Sequence, residues 1–194
     1  PFDEIISRLK PHPGQRDSAR GLRELLAGSE IRESHIEGDT RVQDPYSLRC
    51  MPQVHGTALD ALRQSIRTVE IELDSVTDNP LVVGSSVISG GNFHGQALSF
   101  AFDAAGIALA TIGNISERRV FQMILGQSPR LSLYLARNPG LESGWMIPQY
   151  AAAALASENK TLAHPASADS VPTSANKEDF VSMGMWAALK LKQL

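Results

Sequence analysis

The sequence predicts an all-α protein organised as a bundle of long helices, with one small β-hairpin near residues 81–88. After Pro52, apolar residues recur in steps of three and four, which is the spacing of one helix face. Residues 96–125 are apolar nearly all round, as expected of a helix that has neighbours on every side. The β-branched pieces at 81–83 and 87–88 are short and flank a glycine-serine turn, which is typical of a hairpin.

Residues 1–50 are predicted to form an irregular lead-in, and residues 51–194 the helical bundle domain. The lead-in is rich in Pro, Gly, Arg and Ser, which favour turns and loops. It ends in a polar loop, Gln43–Arg49. One short helix is expected where apolar residues keep helical spacing before Gly28-Ser29: Ala19, Leu22, Leu25 and Leu26.

The first long helix is predicted to begin at Pro52, a residue that suits the first helical turn. It should stop before the turn signal Asp78-Asn79-Pro80, and Gly84-Ser85-Ser86 should then connect the strands of the hairpin. The apolar face of the helix comprises Ala58, Leu62, Ile66, Val69 and Leu73.

A second long helix is predicted from about Gln96 to Leu125, roughly 45 Å at ~1.5 Å per residue. A chain of 194 residues supplies few neighbours for such an apolar helix. We therefore expect burial against other subunits or against a missing part of the chain, and a homo-oligomer. Two further helices are expected at about Gln149–Leu162 and Lys177–Leu189, the latter capped by Asn176.

The composition disfavours several classes of partner. With 18 basic and 21 acidic residues the net charge is −3, so we expect neither nucleic acid nor an anionic membrane surface. The apolar stretch 97–115 contains Asp103 and is dominated by small residues, which favours a buried helix over a membrane span. Cys50 is the single cysteine and no Cys/His cluster has zinc spacing, so we expect a cytoplasmic protein without a metal.

The loop Gln43–Arg49 combines an amide, a phenol and a guanidinium within seven residues. Arg49 could hold a carboxylate through two parallel hydrogen bonds, and the hydroxyl of Tyr46 could relay a proton. Such a set suits the recognition of an amino acid. The alternative is a surface loop that caps the following helix and forms surface ion pairs.

A second candidate is the glycine-rich turn Ser89–Gly95, which precedes a helix N-terminus where backbone N–H groups favour an anion. Its glycine spacing is not that of a dinucleotide site, so no nucleotide cofactor is expected. The alternative is a tight turn that leads into a buried helix. Phe93 suits either the core or a flat substrate, and we interpret His94 as a hydrogen-bonded structural histidine.

Two segments place carboxylates in or beside helices, Ser157–Lys160 and Asn176–Asp179. Most residues of this kind are helix caps or lie on solvated faces. An acid or base role would require burial, which the sequence cannot show.

Taken together, these segments resemble the second half of histidine and phenylalanine ammonia-lyases, which belong to the aromatic amino-acid ammonia-lyases. The resemblance covers nearly the whole chain and keeps the order and spacing of the motifs. Its motifs are His12-Pro13-Gly14-Gln15, Gln43–Cys50, Ser89–Gly95, Ser157–Lys160, His164-Pro165-Ala166-Ser167 and Pro172–Asp179.

The resemblance implies a mostly helical homotetramer that eliminates ammonia from an aromatic amino acid. Its electrophile would be a methylidene-imidazolone ring formed from an internal Ala-Ser-Gly, which this sequence does not contain. The chain begins at Pro1 without an initiator methionine, so we expect that an N-terminal segment is missing and that the 194 residues alone are inactive.

The resemblance also implies roles for five residues, contributed by different subunits. Arg49 would pair with the substrate carboxylate, with Gln43 nearby. Tyr46 would support proton transfer beside the electrophile. Phe93 would lie against the electrophile and substrate, and Glu178 would face the amino group or an imidazole.

The resemblance favours L-histidine as substrate, with urocanate as product, because the histidine enzymes typically carry Glu at the position of Glu178 and the phenylalanine enzymes Gln. A carboxylate also pairs with an imidazole N–H but lines a phenyl pocket poorly. Phe180 stands where the histidine enzymes typically have His, so the match to their pattern is incomplete. The alternatives are a phenylalanine or tyrosine ammonia-lyase, an aminomutase, or a non-catalytic helical assembly module.

Overall fold

A computed structural model describes residues 1–39, 42–128 and 130–194 and confirms the predicted all-α class. Four short strands form two separate antiparallel hairpins within these ranges. The α-helices are α1 Glu4–Leu9, α2 Pro13–Leu26, α3 Glu30–Glu33, α4 Tyr46–Arg49, α5 Met51–Leu73, α6 Gln96–Ile124, α7 Met146–Leu162 and α8 Gly184–Gln193. The strands are β1 Leu81–Val83, β2 Ser86–Ile88, β3 Leu125–Ser128 and β4 Leu131–Leu133.

The two longest helices lie where the apolar spacing predicts them. Helix α5 begins one residue before Pro52, and α6 ends one residue before the predicted Leu125. Helix α7 begins three residues before the expected Gln149 and ends at the expected Leu162. Because apolar periodicity is a local property of a long segment, all three were accessible from the sequence.

The prediction of a helix from Lys177, capped by Asn176, is wrong. Helix α8 begins only at Gly184, because residues 174–176 adopt left-handed backbone conformations with φ of 48°, 54° and 68°. The backbones of Thr173 and Glu178 pair across this turn. The polar residues that suggested a helix cap therefore reverse the chain instead of starting a helix.

The hairpin at residues 81–88 is confirmed, with Leu81 opposite Ile88. Gly84 has φ +59°, a conformation that glycine adopts without steric cost in a tight turn. The second hairpin, β3–β4, was not predicted. Its Gly126 also has positive φ, and a side chain there would collide with the backbone of Leu133.

The lead-in contains more helix than the single segment expected. Helix α2 matches that prediction, whereas α1, α3 and α4 are four to six residues long and too short to show a periodic pattern. Local caps support two of them: Asp3 accepts from Ile5 N at 2.8 Å, and Ser29 accepts from Arg32 N at 3.2 Å. Residues 40 and 41 of the lead-in lie outside the described residues.

The chain divides into two compact units. Unit 1 comprises Pro1–Asp60 and Thr111–Glu158, and unit 2 comprises Ala61–Ala110 and Asn159–Leu194. The predicted division near residue 50 into lead-in and helical domain stays a prediction.

Helices α2 and α5 approach each other closely in unit 1 through glycine. A Cβ atom on Gly14 would collide with the carbonyl oxygen of Gly56, and Gly14 N donates to Asp60 Oδ1 at 2.8 Å. We expect Gly14→Ala to lower the free energy of unfolding by ~1–3 kcal/mol, because overpacking forces the helices apart. Gly21→Ala, on the same helix with open space around it, should be neutral or stabilising by up to ~1 kcal/mol.

Urea denaturation of the complete protein that contains this chain checks this pair of variants. Equal midpoints for Gly14→Ala and Gly21→Ala would show that the close approach does not limit packing.

Helix α6 exposes large apolar side chains. Phe100 is 65% exposed and Met123 51% exposed. Among the described helices, α6 is also the one that has the length and composition to cross a membrane, a property shared with core helices of soluble proteins. The exposed faces are consistent with the expected burial by further chain or subunits, and oligomerisation stays a prediction.

Unit 2 contains a buried polar cluster around Asp103 of α6. Asp103 Oδ2 accepts from Ser167 N at 2.6 Å, and Asp103 Oδ1 lies 3.7 Å from the ammonium of Lys190. Lys190 also donates to the carbonyl oxygen of His164. The cluster therefore ties α6 to α8 and to the segment after α7.

Candidate functional site

The polar loop ends in α4, where two proposed substrate residues lie together in unit 1. The amide nitrogens of Leu48 and Arg49 both donate to Pro45 O, at 3.0 and 2.9 Å, so proline starts the single helical turn. The guanidinium carbon of Arg49 lies 5.0 Å from the centroid of the Tyr46 ring, a cation–π arrangement. Because only one face of the guanidinium lies on the ring, its N–H edge can still pair with a carboxylate.

Tyr46 is 72% exposed and Gln43 is also exposed. Arg49 is partly buried. The described residues therefore place an accessible phenol beside a held guanidinium, and a guanidinium can bind the carboxylate of an amino acid.

The turn Ser89–Gly95 is held by a side-chain anchor in unit 2. Asn79 Oδ1 accepts from Ser89 Oγ at 3.1 Å and from Gly90 N at 2.9 Å. Helix α6 begins directly after the turn at Gln96. Phe93 is 57% exposed, so its ring is not a core residue of this unit and remains available for a flat ligand.

His94 is hydrogen-bonded, as its interpretation as a structural histidine predicts. Its Nε2 donates to the carbonyl oxygen of Phe180 at 3.0 Å, and the two rings stack with centroids 6.1 Å apart. This contact joins the segment that carries Phe93 to the segment that carries Glu178.

Glu178 lies at the end of the left-handed turn and is exposed. The hydroxyl of Thr173 donates to Glu178 Oε2. Hydrogen bonds, the first from Thr173 and the second from Ser174, lower the pKa of Glu178 below its ordinary value of 4.5. Its carboxylate is ionised at neutral pH, as it would be even at the ordinary value. An exposed carboxylate fixed in this way can accept from an N–H donor. Glu158, by contrast, is exposed on α7, as expected of a carboxylate on a solvated helix face.

The structure thus groups Tyr46 and Arg49 in unit 1, with Gln43 three residues before Tyr46. It brings the segments of Phe93 and Glu178 together in unit 2. Their roles toward a substrate stay predictions. Within the described ranges, no three His, Cys, Asp or Glu side chains group as metal ligands.

Sequence reasoning missed a polar network in unit 1. Arg119 Nη1 lies 3.0 Å from His55 Nε2, and because arginine can only donate, that imidazole nitrogen must be the acceptor. Burial, and then the charge of Arg119, lower the pKa of His55. Buried Glu117 accepts from Gln149 Nε2 at 2.8 Å. The one available signal was the charged run Glu117-Arg118-Arg119 within an otherwise apolar helix.

A family model, described as aromatic amino acid lyase, matches residues 1–194. The chain belongs to the aromatic amino acid lyase family. It is 55% identical over 196 aligned residues to the histidine ammonia-lyase of Deinococcus radiodurans, covering 100% of this chain and 37% of that protein. The chain therefore spans little more than a third of that relative's length.

Solved structures of family members share the fold. The histidine ammonia-lyase of Trypanosoma cruzi matches with a TM-score of 0.86 and 44% identity, over 99% of this chain and 35% of that one. The phenylalanine aminomutase of Pantoea agglomerans matches with a TM-score of 0.88 and 34% identity, over 99% of this chain and 41% of that one. The ammonia-lyase type of helical fold expected from the motifs is confirmed.

Proposed function

We propose that this chain is the C-terminal part of a cytoplasmic, homotetrameric histidine ammonia-lyase, which releases ammonia from L-histidine to give urocanate. The observation that carries the proposal is the 55% identity to a histidine ammonia-lyase along the whole chain. The exposed, ionised carboxylate of Glu178 supports histidine as substrate, because it can accept from an imidazole N–H.

The side chains of this chain would bind and orient the substrate. Arg49 pairs with the substrate carboxylate, and Gln43 donates a hydrogen bond near it. Phe93 packs against the flat imidazole, and Glu178 accepts its N–H. Tyr46, whose hydroxyl is accessible, supports proton transfer.

The family uses a methylidene-imidazolone ring as an electrophile that takes up the substrate amino group. The 194 residues contain no Ala-Ser-Gly from which such a ring forms. The exposed rings of Tyr46 and Phe93 are suited to lie against a planar group supplied by another segment. On this proposal the 194-residue chain alone has no lyase activity.

The direct test is an assay of the complete protein with histidine, phenylalanine and tyrosine at equal concentrations, following both ammonia and the unsaturated acid. We expect histidine to be turned over fastest, and the separately expressed 194-residue chain to be inactive. Absence of turnover with all three substrates would favour the assembly module instead.

A phenylalanine or tyrosine enzyme is the second candidate. The P. agglomerans aminomutase shares 34% identity, and a tyrosine aminomutase structure shares 35%. The same assay separates these possibilities, since a lyase releases ammonia whereas an aminomutase keeps nitrogen on its product.

Glu178→Gln tests the assignment of substrate. Loss of the charge should lower kcat/KM for histidine by about 10-fold, because the neutral amide accepts from the imidazole N–H more weakly than the carboxylate does. Glu158→Gln, on the exposed face of α7, is the matched control and should leave kcat/KM unchanged. A loss that is equal for histidine and phenylalanine would contradict imidazole recognition by Glu178.

A further inference from the structure

We propose that Thr173 is a positioning residue, whose hydroxyl orients the carboxylate of Glu178 toward the substrate's N–H. The inference rests on the proposed function, in which Thr173 is not among the five residues that bind or orient the substrate.

The backbones of Thr173 and Glu178 form a closed antiparallel pair. Thr173 N donates to Glu178 O at 2.9 Å, and Glu178 N donates to Thr173 O at 3.4 Å. Residues directly opposite each other in such a pair have side chains on the same face. The hydroxyl of Thr173 therefore faces the carboxylate of Glu178 and donates to its Oε2.

The turn between them has unfavourable local geometry. Ser174, Ala175 and Asn176 all have positive φ, which residues with a side chain rarely adopt in succession. Such a turn persists only when contacts at its ends hold it. The Thr173–Glu178 pair is the contact that closes it, so the pair determines where the backbone of Glu178 lies.

The chain after Glu178 is anchored as well. His94 Nε2 donates to Phe180 O, and Val181 N donates to Ser170 Oγ at 2.9 Å. With the backbone held on both sides, the main remaining freedom of Glu178 is the rotation of its own side chain. The bond from Thr173 removes much of that freedom.

The hydrogen bonds leave the carboxylate able to bind a ligand. A carboxylate has about four lone-pair positions. The hydroxyls of Thr173 and Ser174 interact with it and lower the pKa of Glu178. The remaining positions can accept from an imidazole N–H or an ammonium group. Thr173 thus directs an exposed carboxylate without using up its capacity to accept from a ligand.

Thr173→Val removes the hydroxyl while keeping the shape of the side chain. In the complete enzyme we expect the KM for histidine to rise about 5- to 10-fold, as for loss of one exposed hydrogen bond of typical net strength, with kcat changed less than about 2-fold. Thr173→Ser restores the hydroxyl and should return KM to within about 2-fold of the wild type. An unchanged KM in Thr173→Val would overturn the proposal.

A double variant separates positioning from a general structural effect. If Thr173 acts through Glu178, adding Thr173→Val to Glu178→Gln should change KM by less than about 2-fold. If the full 5- to 10-fold rise persists in the Glu178→Gln background, Thr173 acts through another route and the proposal is wrong. Equal thermal unfolding midpoints for the variants exclude misfolding as the cause.

A readout without turnover distinguishes failure of this inference from failure of the proposed function. The carboxyl carbon of Glu178 in labelled complete protein can be titrated by NMR, with Glu178→Gln for assignment. Thr173→Val should raise the pKa of Glu178, whereas an unchanged pKa would refute the contact. The nearby titratable groups Lys177, Asp179 and His94 are the same in the compared proteins. Lack of histidine turnover in the wild type would instead refute the proposed function.

Discussion

Replacing Arg49 with alanine is expected to raise the KM of the complete enzyme for histidine by about 10- to 100-fold, the largest effect on substrate binding predicted for this chain. A guanidinium holds a carboxylate through two parallel charge-assisted hydrogen bonds, and loss of about 1.5–3 kcal/mol corresponds to that range. The guanidinium of Arg49 is already oriented by the Tyr46 ring, 5.0 Å away, so little further ordering is required on binding. Steady-state kinetics across a series of histidine concentrations measures the change.

Two variants control this experiment. Arg49→Lys keeps the charge but loses the planar guanidinium that forms two parallel hydrogen bonds. Its KM for histidine should lie between those of the wild type and Arg49→Ala. Arg32→Ala removes an exposed arginine of α3 that pairs with Glu33 on the surface, and should leave KM unchanged. If Arg49→Ala and Arg32→Ala behave alike, Arg49 does not bind the substrate carboxylate.

Asp103→Ala is expected to have the largest effect on stability, a loss of about 3–5 kcal/mol in the free energy of unfolding. Asp103 is 7% exposed, and its removal leaves the amide of Ser167 without its buried acceptor and the ammonium of Lys190 without the nearby carboxylate charge. Removing one partner of a buried ion pair lowers the stability by more than the pair itself contributes, because the other charge stays buried without compensation. Urea denaturation of the complete protein measures the loss.

The exposed Asp169 is the matched control, since its carboxylate accepts from the neighbouring Ser170 N at 2.8 Å within a surface segment. Asp169→Ala should change stability by less than about 1 kcal/mol. A similar loss in both aspartate variants would show that burial of the Asp103 cluster is not what stabilises unit 2.

The Asp103 cluster also has a predictable pH dependence. Burial would raise the pKa of Asp103, but hydrogen bonds from Ser167 and Ala166 and the charge of Lys190 outweigh it and leave the pKa below the ordinary value of 3.8. Because the pKa of Asp103 is lower in the folded state, its ionised carboxylate stabilises the fold above pH 3.8. This stabilisation is lost as the pH falls through the folded-state pKa. The stability difference between wild type and Asp103→Asn should therefore shrink on acidification below that point.

The sequence by itself determined the long helices and the first hairpin. The start of α5 and both ends of α6 were predicted to within one residue, because apolar spacing over more than twenty residues is set by local geometry. Gly84 and the β-branched residues around it were equally local signals for a tight turn. The motifs also indicated the family, and with it the five candidate site residues, although their roles in binding stay predictions.

The tertiary structure decided features that depend on contacts between residues distant in sequence. Asn176 has the composition of a helix cap, but pairing of Thr173 with Glu178 and the anchoring of Phe180 by His94 place it in a left-handed turn. The acceptor role of His55 follows only from Arg119, 64 residues away. Long-range pairing also holds Asp103 against Lys190. Such contacts leave no periodic pattern, because each depends on how helices pack rather than on the spacing of neighbours along the chain.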